Sequence, residues 1–277
     1  MKSLSEQIEE IILQHGSRGM NHLRNSLTGG YCQRAAELIL GHRGVVLMGT
    51  GFPVSDSFES DGPIGAIAMY RVLLNLGHQP ILVCAPPIAD VLARSFLTYA
   101  LPVDSWERSR KIVSGIVSEL KPSLVMSIER AGRTADGRYY NMHGEDITDK
   151  TAKFDLFFHE CTCPSIAFGD GGNEIGMGNL RHAMDALSIT PSETTCDELI
   201  ISTVSNWGVY GVVAILCHLT KQDLFSDFDP REIADFLFAN GCVDGVTRER
   251  EPGEDGFPIE SGLEIIRQLK ELVGIHA

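Results

Sequence analysis

Three glycine-rich stretches of this sequence carry carboxylates. Glu59 and Asp61 precede Gly62-Pro63, and Glu129 opens the run Glu-Arg-Ala-Gly-Arg. Asp170 and Glu174 sit in residues 169–178, where five of the ten positions are glycine. Glycine costs backbone entropy, so this density marks unusual backbone angles or a close approach to something bound. Oxygen-only ligands drawn from several loops are what Mg²⁺ or Mn²⁺ prefers, whereas zinc takes His or Cys. Asp61, Glu129, Asp170 and Glu174 are therefore candidate ligands for a divalent cation, or a cage for an ammonium group. Glu129, Asp170 and Glu174 are the candidate catalytic residues. Glu129 is the first choice for acid/base work, because a carboxyl at a buried strand end is desolvated and its pKa rises. Taken singly, each has a plain structural reading: Asp61, Asp170 and Asn173 as helix caps, Glu174 as first-turn charge, Glu129 paired with Arg130 or Arg133. Their joint occurrence favours a site.

Arg130, Arg133 and Arg138 fall close together, and arginine forks match carboxylates or phosphates in two-point contacts. Arg130 and Arg133 are the expected substrate clamps. The amides of Thr50, Gly51, Gly171 and Gly172 are expected to donate to oxyanions. A helix expected to begin near Asn173 would add its free N–H groups. The Gly-Lys-Ser/Thr of a phosphate loop is missing, and Gly49-Thr50-Gly51 lacks the third glycine of a dinucleotide fingerprint, so no nucleotide cofactor is expected. His143 and His159 read as structural, and Asp244, between Val243 and Gly245, as a turn residue that would otherwise add a ligand.

These loops need a scaffold. Short apolar runs at residues 44–49, 81–84, 124–128, 165–168 and 199–204 read as strands buried on both faces. Helical spacing at residues 64–76, 88–97, 106–120, 154–160 and 209–219 separates them, and residues 4–14 and 33–40 add two helices in front. Strands alternating with helices specify an α/β fold: a doubly wound, three-layer, Rossmann-like and mainly parallel sheet. One domain is expected over 1–277, with a helical appendage at 1–42 and the sheet with its helices at 43–277. In such sheets ligands bind beyond the C-terminal strand ends, which is where the acidic glycine loops fall.

Composition bounds the partners. The 277 residues carry 37 acids against 23 Lys and Arg, a net charge of -14, with 43% hydrophobic content. That charge argues against nucleic acid and against an anionic membrane surface, but not against a small acidic substrate met by local arginines. The seven cysteines are odd in number and form no paired C-x-x-C, which reads as reduced core thiols. Acids at the N-terminus where a signal peptide is basic, and the lack of a long apolar run, lead to an expected cytoplasmic location. A homo-oligomer is left open.

In order along the chain, GTGFP, ESDGPIGA, ERAGRTADGRYYNMHGEDI, GDGGNEIGMGN and GCVDGV resemble the D-glutamate cyclase family. The resemblance is to the C-terminal domain of its two-domain members and to the stand-alone prokaryotic relatives of that domain, and covers about residues 20–260. It implies an α/β fold and a hydro-lyase that converts D-glutamate to 5-oxo-D-proline with loss of water. The residues fit that chemistry: a divalent ion to polarise a carboxylate, a carboxyl of raised pKa to move a proton, and donors for an oxyanion. Two other readings use the same residues, a Mg²⁺-dependent phosphatase or phosphoryl-transfer enzyme and a non-catalytic binding protein for an acidic amino acid.

Overall fold

The structure is a computed structural model that describes residues 2–16, 18–186 and 189–275. Helices α1 (Leu4–Ile12), α2 (Met20–Leu23) and α3 (Tyr31–Gly41) precede strand β1 (Val45–Gly49). A small hairpin, β2 (Pro53–Val54) and β3 (Ser57–Phe58), leads to α4 (Pro63–Asn75), β4 (Gln79–Cys84), α5 (Ile88–Leu92), β5 (Thr98–Ala100), α6 (Trp106–Leu120) and β6 (Leu124–Ile128). Then come α7 (Asp155–Glu160), β7 (Ser165–Gly169), β8 (Glu198–Ile201), α8 (Ser205–Thr220), α9 (Pro230–Ala239), the hairpin β9 (Gly253–Glu254) and β10 (Phe257–Pro258), and α10 (Ile259–Val273).

Six strands form one sheet in the order β5-β4-β1-β6-β7-β8, and every pairing is parallel. Counted along the chain, that is the order 3-2-1-4-5-6 of a doubly wound sheet, whose direction of winding reverses between β1 and β6. The period-two alternation of a strand divides the core. Val46 and Met48 of β1 join the larger cluster, with α4 and α8, while Leu47 joins the smaller one under α6. Helix α8 is buried from Ser205 through Cys217, as a helix apolar all round must be. The N-terminal helices are present and share the larger core, through Ile8, Ile12 and Ile39.

The sequence reading finds five of the six strands. It runs one helix over residues 88–97, whereas α5 stops at Leu92 and β5 follows. β5 is a three-residue edge strand with two exposed positions, so it lacks the buried apolar run that marks the others. Among the described residues, no helix is long and apolar enough to cross a membrane.

Close packing of the smaller face gives a test. Gly49 ends β1 where a Cβ would lie 2.5 Å from the ring of buried Phe154. Gly49→Ala is expected to destabilise the fold by about 1–3 kcal/mol through overpacking, read as a lower urea midpoint at unchanged m-value.

Candidate active site

The site forms where the winding reverses. Asp61 lies on the connection after β1, Glu129 directly after β6, and Asp170 directly after β7. Gly62, at φ +89°, brings the first two together, because a Cβ there would lie 2.7 Å from that of Glu129. Asp61 stands before the N-terminus of α8. Its Oδ2 accepts the Ser205 N–H and its Oδ1 the Asn206 N–H, both at 2.9 Å, so it satisfies helix donors that would otherwise be orphaned. The Ser205 hydroxyl donates to Glu129 Oε2 at 2.7 Å.

Asn206 ties the remaining loops to this point. Its Oδ1 accepts the N–H groups of Gly62 and Gly65, and its Nδ2 donates to Glu254 Oε2 at 2.9 Å. Trp207 Nε1 donates to Glu254 Oε1 at 2.7 Å. The anchored Glu254 fixes the β9–β10 hairpin, whose Asp255-Gly256 turn has φ of +54° and +80°, the geometry of a type I′ turn. That turn delivers Asp255 to Arg18, which reaches in from the N-terminal segment. Arg18 Nη2 donates to Asp255 Oδ1 and its Nη1 to Asp170 Oδ1, the latter at 3.2 Å.

A cavity of about 390 Å³ is lined by Glu59, Asp61, Glu129, Asp170, Glu174 and Asp255 together with Arg18, and toward its edge by Lys150 and Arg248. Ligand atoms of Asp61, Glu129 and Asp170 all lie within 4.8 Å of one another. All three are buried, and Asp170 Oδ2 has no partner. Burial pushes the Asp61 and Glu129 carboxyls well above the usual range, and the neighbouring carboxylates push further. Asp170 is raised by burial against the pull of Arg18. Glu174 is pushed up to about 7, first by burial and then by Asp170. Burial works against the charge on Arg18, but its ion pairs to Asp170 and Asp255 win and raise its pKa. So many carboxylates around one guanidinium cannot all ionise without protons or a further cation. Glu129 also holds φ at +46°, a left-handed backbone that is uncommon and strained for a residue with a side chain. The donor set is oxygen only, converges within the reach of one ion and leaves one buried oxygen unpartnered, so it fits a hard divalent cation such as Mg²⁺ or Mn²⁺.

The structure gathers all four sequence-chosen carboxylates in this cavity, with Glu174 beside the triad rather than in it. Gly171 and Asn173 line it too. The expected arginine clamp is elsewhere. Arg130 is buried, and its guanidinium donates to the carbonyls of Thr50, Gly51 and Ala152 at 3.1, 3.0 and 2.7 Å, bracing the loop after β1. The Arg133 guanidinium lies 4.3 Å from the centre of the Trp106 ring, outside the cavity lining, and Arg138 pairs with Asp146. Thr50 lies outside the cavity lining, and Gly51 lines the neighbouring hollow with Pro87 and Ile88. The Gly172 amide is turned onto Glu174 Oε2 at 2.7 Å, which removes it as an oxyanion donor.

No helix begins at Asn173. Residues 130–132 and 173–175 instead form a short antiparallel contact, with Gly132 N–H on the Asn173 carbonyl and Ile175 N–H on the Arg130 carbonyl, each at 2.8 Å. That contact sets Glu174 in place, and the first helical turn is the 3-10 segment Met177–Ala186. Asp244 is the expected turn residue: its Oδ1 caps the N–H groups of Val246 and Thr247. Arg18 and Asp255 are site residues that the sequence reading does not select, while Ser205 and Asn206 follow the fifth strand of that reading, on the expected rim, without an assigned role. The Asp255-Gly256 dipeptide is a hairpin signal, but nothing near Arg18 in the sequence points to the cavity.

Comparison with known proteins now has a site to refer to. The human mitochondrial D-glutamate cyclase is 30% identical over 259 residues, covering 82% of this chain and 41% of the human protein. The chain thus spans about two fifths of the length of that relative. Among solved structures, an exopolyphosphatase-related protein from Bacteroides fragilis aligns over 90% of this chain and 61% of its own, at 9% identity and a TM-score of 0.45, too distant to argue from. A family model described as D-glutamate cyclase-like, C-terminal, matches residues 8–270. The chain belongs to that D-glutamate cyclase-like family.

Proposed function

We propose that this chain is a hydro-lyase that closes D-glutamate to 5-oxo-D-proline with loss of water, assisted by a divalent cation. The observation that carries the reading is the convergence of Asp61, Glu129 and Asp170 with one buried oxygen left unpartnered. Membership of the family, and the activity named for the human relative, supply the substrate. A divalent ion held by the triad would polarise the reacting carboxylate and offset the charge that develops on its oxygen.

The chain's own groups do the rest. The substrate amine must lose a proton before its nitrogen attacks the far carboxyl carbon, and the departing oxygen must gain protons as the C–O bond breaks and the C–N bond forms. Glu174 suits both transfers. It lines the same cavity, stands outside the triad, and its carboxyl sits at about 7, near the working pH. Glu129, the first choice on sequence grounds, is more fully committed to the triad and to the Ser205 hydroxyl. Arg18 is held between Asp170 and Asp255 and Lys150 is paired with Asp56, so Arg248 is the remaining lining cation among the described residues to offer the carboxylate that does not react.

Purified protein incubated with D- or L-glutamate, with and without Mn²⁺ or Mg²⁺, tests this by chiral detection of 5-oxoproline. The expected result is 5-oxo-D-proline from the D substrate, dependent on the ion. No product from D-glutamate in the presence of either ion would overturn the reading.

A further inference from the structure

The acidic cavity has a neighbour along the same rim of the sheet. A hollow of about 280 Å³ is lined by Gly51, which follows β1, and by Ala85, Pro86 and Pro87, which follow β4. The two spaces share Pro53, Ser55, Asp149 and Lys150 in their linings. The hollow differs from the cavity in chemistry. Phe58, Ala85 and Ile88 are buried in its lining, and Pro86, Pro87 and Val103 extend the apolar surface outward. Its charged side chains, Asp56, Asp149 and Lys150, are all exposed, and Lys150 pairs with Asp56 at 3.1 Å.

Free glutamate has no use for that space. At roughly 30 Å³ per non-hydrogen atom it takes about 300 Å³. The acidic cavity, at about 390 Å³, holds it alone. Charge points the same way. Arg18 is taken up by Asp170 and Asp255, which leaves Arg248 among the lining cations to meet one substrate carboxylate. A second substrate carboxylate, brought up to Asp61, Glu129 and Asp170, adds negative charge to groups already too close to ionise together. An amide in its place is neutral. The substituent on the amide nitrogen is then a part of the substrate that an apolar hollow can take.

We propose, building on the cyclase reading, that the chain also acts on γ-amides of D-glutamate whose amine carries an apolar chain, and that the hollow holds that chain. The free α-amine nitrogen attacks the γ-carbonyl carbon and forms the ring C–N bond. The bond from that carbon to the amide nitrogen breaks. The proton shed by the attacking nitrogen passes through Glu174 to the departing amine. One amide gives 5-oxo-D-proline and one alkylamine, with no water consumed or released. The α-carboxylate stays toward Arg248, as it does for free D-glutamate.

The test compares three compounds on the intact chain with Mn²⁺: D-glutamate, its γ-methylamide and its γ-(n-hexylamide), each followed by chiral detection of 5-oxoproline. The two amides have alkylamine leaving groups of like reactivity and differ in apolar length. The expected result is a kcat/KM for the hexylamide at least about tenfold above that for the methylamide, because its further CH₂ groups leave water in the hollow. Val103 lines the hollow, is exposed and is outside the acidic cavity. Val103→Asp and the milder Val103→Ser are each expected to shrink the hexyl-over-methyl ratio, the first to near unity. If D-glutamate cyclises but the hexylamide gives no product, or no more than the methylamide, the proposal is overturned and the cyclase reading stands. A ratio unmoved by both Val103 variants also overturns it. If none of the three compounds reacts, both readings fall together.

Discussion

If the proposed cyclisation is this chain's reaction, Asp170→Asn is expected to lower turnover of D-glutamate by on the order of 10³-fold while leaving the fold as stable as before, or more so. Asparagine keeps the shape of the side chain and removes one negative charge. The Oδ2 that the substitution alters is the buried oxygen without a partner, so no internal hydrogen bond of that atom is lost. Arg18 keeps its second contact, to Asp255. The change also relieves crowding, since Asp170 raises the carboxyls of Asp61, Glu129, Glu174 and Asp255. A residue that destabilises its neighbours, yet sits at the convergence of three loops, is what a site selected for function rather than stability contains. Calorimetry should show weakened Mn²⁺ binding, and the 5-oxoproline assay at saturating Mn²⁺ should show the loss in kcat. Unchanged turnover with unchanged Mn²⁺ affinity would remove Asp170 from the mechanism.

The carboxylates are legible in the sequence because two independent rules meet on them. Strand ends are visible as short apolar runs, and ligands gather beyond them in a parallel sheet, so an acid such as Glu129 directly after residues 124–128 is placed by pattern alone. The arginines are misread because residue type carries no direction. Arg130 has the chemistry of an anion clamp, but its donors are taken by the carbonyls of Thr50, Gly51 and Ala152. The first two of those carbonyls are brought to it because strands β1 and β6 lie side by side, and the third comes from the segment just before α7. Arg18 is harder still. Its partners, Asp170 and Asp255, are 152 and 237 residues away in the chain. Local periodicity cannot report such a pairing. Residues 169–178 misled in a different way. Their glycines and polar residues look like the start of a helix, but the backbone there pairs with residues 130–132 instead, and that pairing needs both loops at once.

Glu254 gives the second large effect, on stability. Its carboxyl is buried against Trp207 and Asn206, and α10 passes so closely that a Cβ on Gly262 would lie 2.0 Å from Oε1. Burial pushes its pKa from the ordinary 4.5 up to about 7, against the pull of its two hydrogen bonds. Because the folded value is the higher one, the folded state keeps a proton that the unfolded chain has already released. The resulting stability is complete below about pH 4.5 and is lost as pH rises through about 7, the reverse of the usual carboxylate case. Between those limits Glu254 alone is expected to cost the fold roughly 3 kcal/mol. Urea midpoints taken at intervals from about pH 5 to pH 8 should therefore fall with pH, and Glu254→Gln should flatten the profile by about one proton. Glutamine also loses one acceptor for Asn206, so the variant should start about 1 kcal/mol lower at acid pH. Mn²⁺ provides the control, because Glu254 is outside the triad of Asp61, Glu129 and Asp170. Binding the ion should raise every midpoint without removing the part of the slope that Glu254→Gln removes. If Mn²⁺ abolished the whole slope, the proton would belong to the triad, and Glu254 would be ionised in the folded protein throughout. The distinction matters for function because Glu254 holds Asn206 and the hairpin that carries Asp255. A proton there would tune the frame around the acids without sitting among them.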